Sequence, residues 1–204
     1  MKYKITPIIV YLLVAFSASA QTKVVGECSI QFDIDQLQNQ DWQKLGQKNV
    51  QVKGNQCKTT LITPKLVQSL VFSSQEDSAY ILKEIGDSKF LQRVPFPPKS
   101  LPTLVNMKKM TSDSVINIAG YTCNGLQLTF SDESVYDIFY TPLIVPTISY
   151  FEMAFKDIPG LVLSYSITTK KGVSIRYKAT QVDLSPITLN QFEINKNEYQ
   201  ILEK

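Results

Sequence analysis

The chain has 204 residues, 44% of them hydrophobic, and a formal net charge of +3. This length suits one domain with a core of its own and is short for two. The sequence contains no histidine, so the commonest general base and metal ligand at neutral pH is missing. The small net charge gives no electrostatic reason to expect nucleic-acid binding.

The N-terminal residues 1–20 are typical of a cleavable signal peptide. Two lysines within the first four positions are followed by an apolar stretch over residues 5–16. Ala18 and Ala20 then match the small-x-small pattern that signal peptidase requires, so we predict cleavage between Ala20 and Gln21. The apolar stretch is shorter than the roughly 20 residues of a permanent membrane span. The alternative is a short anchor that is never cut.

Export would change both the length and the charge of the mature protein. Removal of 20 residues from 204 leaves 184, which we interpret as a single β-rich domain over residues 21–204. Lys2 and Lys4 leave with the signal, so the formal charge of +3 falls by two to +1. No other segment is apolar enough to cross a membrane. We therefore expect a periplasmic, envelope or secreted protein without an integral membrane span.

The remaining chain has the pattern of β-strands from its beginning. The first predicted strand places every second residue on one apolar face: Cys28, Ile30, Phe32 and Ile34. A period of two is typical of a strand with one buried and one wet face. Residues 50–61 are predicted as two strands around a Lys-Gly-Asn turn.

Further strands are predicted at residues 66–72, 79–85 and 89–94, separated by polar or Gly-Asp turn signals. The proline-rich residues 95–102 interrupt this pattern, because proline cannot donate to a sheet ladder and blocks helix interiors. Strand patterns continue on both sides, so we interpret the segment as a loop within one sheet system. Residues 104–110 are either a short helix or a poor strand.

The second half of the chain continues the strand pattern over residues 115–119, 122–130 and 135–140. Residues 147–156 are predicted as one short helix, with a strand as the alternative. The clearest hairpin joins residues 161–168 to residues 173–180, which alternate in polarity on both sides of a Lys-Lys-Gly turn.

Three cysteines remain after cleavage, in a compartment where disulfides persist: Cys28, Cys57 and Cys123. Three pairings are possible. We favour Cys57 with Cys123, because Cys28 lies on a predicted buried strand face. The alternative is three isolated buried thiols. Three cysteines without histidine do not make a zinc site, and we predict no metal and no cofactor.

Residues 157–163, Asp-Ile-Pro-Gly-Leu-Val-Leu, resemble the signature of the GLPGLI family of exported bacterial proteins. Asp157 and Ile158 replace the first Gly and Leu of the family name. The matching positions are Ile158, Pro159, Gly160 and Leu161. Proline fixes φ and glycine permits conformations closed to other residues, so we interpret the motif as a structural turn into the next strand.

Other segments support the same resemblance in the same order along the chain. Gly120, Tyr121 and Cys123 resemble the family's Gly-Tyr-x-Cys element. Residues 140–142 resemble its Tyr-Thr-Pro step after a strand. The resemblance covers about residues 26–199, nearly the whole mature chain.

The resemblance implies a shape like that of the LolA-like envelope proteins. These have an antiparallel sheet curled into an open half-barrel, with one or two short helices or loops on the concave side. Periplasmic members of that wider group hold acyl chains of lipoproteins in the concavity. On this basis Phe32, Tyr165 and Tyr177 form a candidate apolar ligand face. The alternative is that these three residues simply fill the core.

No catalytic motif occurs, and without histidine a Ser or Cys nucleophile lacks its usual base. The carboxylate pairs of Asp33 with Asp35 and of Asp132 with Glu133 fit a solvated surface. A glycosidase with distant carboxylates stays open, because a sequence does not show which acids converge. We predict a non-enzymatic protein that binds a lipid or acyl chain. The alternative is an envelope module that contacts a protein partner through loops such as residues 95–102.

Overall fold

The computed structural model describes residues 21–110 and 116–202 of the chain. The predicted signal peptide, including Ala20 at its cleavage point, lies outside the described residues. Among the residues described, no helix has the length and apolar character needed to cross a membrane.

Fifteen strands make up most of the described chain. In chain order they are β1 (Lys23–Val25), β2 (Glu27–Gln38), β3 (Asp41–Lys53), β4 (Gln56–Ile62), β5 (Val67–Ser73), β6 (Ser78–Ile85), β7 (Ser88–Pro95), β8 (Leu104–Lys109), β9 (Ile116–Ile118), β10 (Tyr121–Phe130), β11 (Val135–Thr141), β12 (Ile144–Pro146), β13 (Leu161–Thr168), β14 (Ser174–Asp183) and β15 (Gln200–Ile201). The helical parts are 3-10 turns at Met153–Phe155, Leu189–Gln191 and Lys196–Glu198.

Thirteen of these strands form one large sheet in the order β15-β7-β6-β5-β4-β3-β2-β14-β13-β11-β10-β8, with β9 on the other half of β10. All its pairs are antiparallel except that of β15 with β7. The strands β1 and β12 form a separate parallel pair. The edge strands β8 and β15 do not pair with each other, so the sheet is open. The predicted fold class, a mainly β protein with an open antiparallel sheet, is confirmed.

Most of the predicted strands are confirmed with small changes of their ends. The alternation in β2 is real, since Cys28, Ile30, Phe32 and Ile34 are all buried. The predicted hairpin is formed by β13 and β14, with Tyr165 paired to Tyr177. The segment that the sequence leaves open between a helix and a poor strand is β8, an edge strand.

The segment between β12 and β13, residues 147–160, lies inside the concavity and is called the inner segment below. Its side chains Ile148, Phe151, Phe155 and Ile158 belong to the same buried core as β2 and β13. The helix predicted over residues 147–156 is wrong in extent, because only Met153–Phe155 forms a 3-10 turn. Packing of these bulky side chains against the sheet, and not helix propensity, determines the backbone conformation of this segment.

The chain after β14 covers the opposite face of the sheet. Ile194 and Tyr199 pack there on Val71, Leu82 and Leu91, which come from β5, β6 and β7. The strands β5 and β6 therefore have buried residues on both faces and alternate less cleanly than β2, whereas Leu91 is the only buried residue of β7.

The predicted disulfide between Cys57 and Cys123 is not formed, and all three cysteines are buried free thiols. Cys57 lies on β4 and Cys123 on β10, with five strands between them in the sheet order. Cys28 and Cys57 both flank Val52 in the ladder. Two strand spacings of about 4.8 Å separate their backbones, which exceeds the reach of a disulfide.

Candidate functional site

A groove of about 380 Å³ opens between the two halves of the sheet. One wall comes from β5, β6 and β7 through Leu70, Ile81 and Val94. The opposite wall comes from β10 and β11 through Phe130 and Tyr136. Strands from distant parts of the sheet face each other here, so the sheet is curved. This inner groove falls in the range of about 300–1,000 Å³ that is typical of small-molecule sites.

Two connecting segments complete the lining of the inner groove. Residues 95–102 contribute four side chains besides Phe96: Pro95, Pro98, Leu101 and Pro102. Proline rings fix φ, so this rim has a stiff backbone. Phe96 stacks on Phe72 of β5 with ring centroids 4.1 Å apart, which anchors the rim to the core. The inner segment contributes residues 150–154.

A buried lysine lies beside the inner groove. Lys48 of β3 is only 3% exposed, and its Nζ forms an ion pair with Glu152 of the inner segment. The same Nζ donates a hydrogen bond of 2.9 Å to Tyr165 Oη. It also lies 5.4–5.5 Å from the ring centroids of Phe151, Tyr165 and Tyr177. These contacts replace the water that a buried ammonium group loses.

The tyrosines around this lysine are held in their neutral form. Burial, and then the charge of Glu152, raise the pKa of Tyr165 well above its ordinary value. The same two causes raise the pKa of Tyr177 to about 12. The two rings stack with centroids 4.4 Å apart. At neutral pH both phenols therefore act as hydrogen-bonding and packing groups, and neither is a base.

The predicted ligand face of Phe32, Tyr165 and Tyr177 does not line the inner groove. Phe32 and Tyr165 are fully buried. The inner segment covers them, because Phe151 packs on Phe32 and Phe155 packs on Tyr165. Phe32 and Tyr165 thus fill the core next to the groove, whereas Tyr177 is half-buried and stacks on Tyr165.

The residues of the motifs that resemble the GLPGLI family lie in turns and at the starts of buried strands. Gly120 has a φ of +86° in the turn before β10, and Tyr121 and Cys123 follow on that strand. Gly160 has a φ of +155°, and a Cβ there would overlap the carbonyl oxygen of Thr141. Leu161, at the start of β13, is fully buried.

The carboxylate pairs noted in the sequence do not converge on one another. Asp33 pairs with Lys44 at 2.9 Å and Asp35 with Arg176 at 2.8 Å. Asp132, in contrast, lines the inner groove. Its carboxylate accepts bonds from the backbone N and the Oγ of Ser134, which lower its pKa. In the described ranges, 21–110 and 116–202, no three His, Cys, Asp or Glu side chains cluster as metal ligands would.

Sequence reasoning missed both charged partners beside the groove, Lys48 and Glu152. A signal for Lys48 exists, because it shares the phase of Val50 and Val52, which are fully buried on the inner face of β3. A lysine in phase with two core valines indicates a buried cation that requires a partner. No local pattern identifies that partner, because Glu152 lies 104 residues further along the chain.

The comparisons with known proteins support the fold alone. PNGF-II has a TM-score of 0.52 and 14% identity, over 88% of this chain and 32% of that chain. This chain thus spans about a third of the length of PNGF-II. At such low identity the likeness extends to the fold and not to the activity.

Two further solved structures are similar at a lower level. The LolA superfamily protein NE2245 from Nitrosomonas europaea has a TM-score of 0.38 and 11% identity, over 83% of this chain and 90% of that chain. A chain of the Pseudomonas aeruginosa MucA/MucB complex has a TM-score of 0.36 and 11% identity, over 86% of this chain and 58% of that chain. These scores are too low to carry an argument.

The sequence comparisons add no family. No model of a protein family matches the chain. No curated protein matches it either. The resemblance to the GLPGLI family therefore rests on the motifs quoted above.

Proposed function

We propose that this protein binds the alkyl or acyl chain of a small amphiphile in the inner groove. The groove itself carries this proposal. Its walls are largely apolar, from Leu70 and Ile81 on one side and Phe130 on the other. Burial of apolar surface gives about 25 cal/mol per Å², so a ligand chain in this groove gains free energy by leaving water.

The cellular location that we propose rests on the N-terminal sequence. We propose that residues 1–20 direct export and that the mature protein, residues 21–204, begins at Gln21 and acts as one domain in the periplasm or cell envelope. The amphiphiles of the envelope are then its natural ligands. The predicted alternative is a protein-interaction module working through residues 95–102. In this loop Phe96 is buried and the other residues are exposed, and several of them form part of the groove wall, so we place the groove first.

The test is binding of a neutral twelve-carbon ligand, 1-dodecanol, measured by displacement of Nile red from the purified protein. We expect saturable binding at one site. The substitution Val94→Trp fills the groove from β7 and should weaken binding at least about tenfold, because each lost 1.4 kcal/mol is a factor of ten.

The matched control is Val105→Trp on the edge strand β8. Val105 is also a strand valine, but it is 67% exposed and does not line the groove. This variant should bind dodecanol like the unmodified chain. Equal binding by both variants, or no saturable binding by the unmodified protein, would show that the inner groove is not a ligand site.

A further inference from the structure

The charges that line the inner groove are of one sign. Asp132 and Glu152 are its two charged side chains among the described lining residues, which include no lysine and no arginine. The cation beside the groove, Lys48, is 3% exposed and already engaged with Glu152 and Tyr165. An anionic headgroup would therefore meet two carboxylates and no free cation.

One carboxylate oxygen at the groove is free to contact a ligand. The Glu152 side chain is 40% exposed, although its partner Lys48 is buried. Lys48 and Tyr165 both donate to Oε1 of Glu152. Its Oε2 receives no hydrogen bond from the described part of the chain. Glu152 is thus held in place by one oxygen and presents the other.

Aromatic side chains line the same groove as these two carboxylates. The groove is lined by five of them: Phe96, Phe130, Tyr136, Tyr150 and Phe151. The faces of such rings attract cations. The molecule already uses this attraction, because Lys48 Nζ lies 5.4 Å from the ring centroid of Phe151. Aromatic rings and carboxylates that line one groove are a combination that suits an ammonium group.

We propose that the inner groove selects amphiphiles with a cationic head, of the alkylammonium class, over fatty acids and phosphate-headed lipids. This selectivity rests on the proposed function, because it concerns the head of the same ligand whose chain fills the groove. The carboxylates of Asp132 and Glu152 attract the positively charged head. The aromatic rings take the place of some of the water around it.

The test compares three ligands with the same twelve-carbon chain, dodecylamine, 1-dodecanol and dodecanoate, by Nile red displacement at pH 7. The two ionic ligands are kept below their micellar concentrations and dodecanol below its solubility limit. We expect dodecylamine to bind at least about tenfold more tightly than dodecanoate, with dodecanol between them. The difference should shrink at 1 M salt, where charges are screened within about 3 Å.

The outcomes separate the two proposals. Binding of dodecanoate as tight as that of dodecylamine overturns the selectivity but leaves the groove as a site for apolar chains. Binding of none of the three ligands overturns the proposed function itself. Binding of dodecylamine without any binding of dodecanol also overturns the proposed function, because the groove then holds no neutral chain and the attraction is one of charge alone.

Matched variants locate the selectivity at the groove. Asp132→Asn should reduce the preference for dodecylamine over dodecanoate about threefold or more. Glu133→Gln is the control, because it changes the net charge equally while Glu133 lies outside the lining and pairs with Lys170. The double variant Lys48→Met with Glu152→Gln removes the second carboxylate without leaving a buried cation alone. It should reduce the preference for dodecylamine in the same direction as Asp132→Asn. Equal loss of preference in Asp132→Asn and Glu133→Gln would show a general charge effect and no selection at the groove.

Discussion

The ion pair of Lys48 with Glu152 is unequal in its exposure to water. Lys48 is buried, whereas Glu152 reaches the groove. We expect Glu152→Ala to destabilise the fold by about 3–5 kcal/mol, because it leaves a buried ammonium group without its carboxylate. Lys48→Met should cost less, about 1–3 kcal/mol, because water solvates the carboxylate that remains.

Urea unfolding of these two single variants and of the double variant Lys48→Met with Glu152→Ala measures this difference. The double variant should be more stable than Glu152→Ala alone, since it has no buried charge left. A larger loss of stability in Lys48→Met than in Glu152→Ala would contradict a buried cation that depends on its partner.

The residues of this pair also mark the limit of sequence reasoning. The phase of Lys48 with Val50 and Val52 is visible in the sequence and predicts a lysine on the inner face. The choice of Glu152 as its partner depends on how the inner segment folds into the concavity. A contact across 104 residues has no local signal.

Gly160 is the residue that allows the inner segment to enter β13. Its φ is +155°, and a Cβ would overlap the carbonyl oxygen of Thr141 and lie 3.0 Å from the ring of Tyr140. We expect Gly160→Ala to lose at least about 1–3 kcal/mol of stability, the cost of one strained backbone position, with a further loss because Thr141 must move.

Gly26→Ala is the control for this element, since a Cβ at Gly26 meets nothing within 4 Å. Its stability should stay within about 0.5 kcal/mol of the unmodified chain. Urea midpoints of the two variants give the comparison. Equal urea midpoints of the two variants would show that the close contact between Gly160 and Thr141 does not limit which residue can stand at position 160.

The elements that the sequence predicts well are those with enough residues to show a period. The strands β2, β13 and β14 have eight or more residues each, long enough for an alternation of apolar and polar side chains to be recognised. The strands β1, β12 and β15 have only two or three residues, too few for alternation to appear. The helix predicted over residues 147–156 is wrong for a different reason, because packing against the surrounding sheet, and not helix propensity, determines the backbone of the inner segment.

Three cysteines are spread over the whole sheet, on β2, β4 and β10, and all are buried. Burial raises the pKa of Cys28 and of Cys57 to about 12, and that of Cys123 to about 11. Thiols react as thiolates, so we expect slow labelling by a thiol reagent in the native protein at pH 8.

In denaturant without reductant, the same reagent should count three thiols per chain. A mass measurement of the labelled product gives the number directly. One reactive thiol per chain would contradict the structure and show that two of the three cysteines form a disulfide.

The cysteine thiols and tyrosine phenols in and around the core also determine how the stability of the whole molecule changes at alkaline pH. The ordinary pKa of a thiol is 9.0 and that of a tyrosine 10.0, and burial raises those of Cys28 and Tyr177 to about 12. In the unfolded chain these groups release protons at lower pH than in the folded chain. Stability is therefore complete below about pH 9 and falls as the pH rises towards 12, by up to about 1.4 kcal/mol per pH unit for each group.

The urea midpoint should accordingly be lower at pH 10.5 than at pH 8, by an amount that grows steeply between these values. Tyr177→Phe removes one of the contributing groups, so its midpoint should fall less between pH 10 and pH 11 than that of the unmodified chain. Equal midpoints at pH 8 and pH 10.5 would mean that water reaches these groups in the folded protein, and that the core does not hold them neutral.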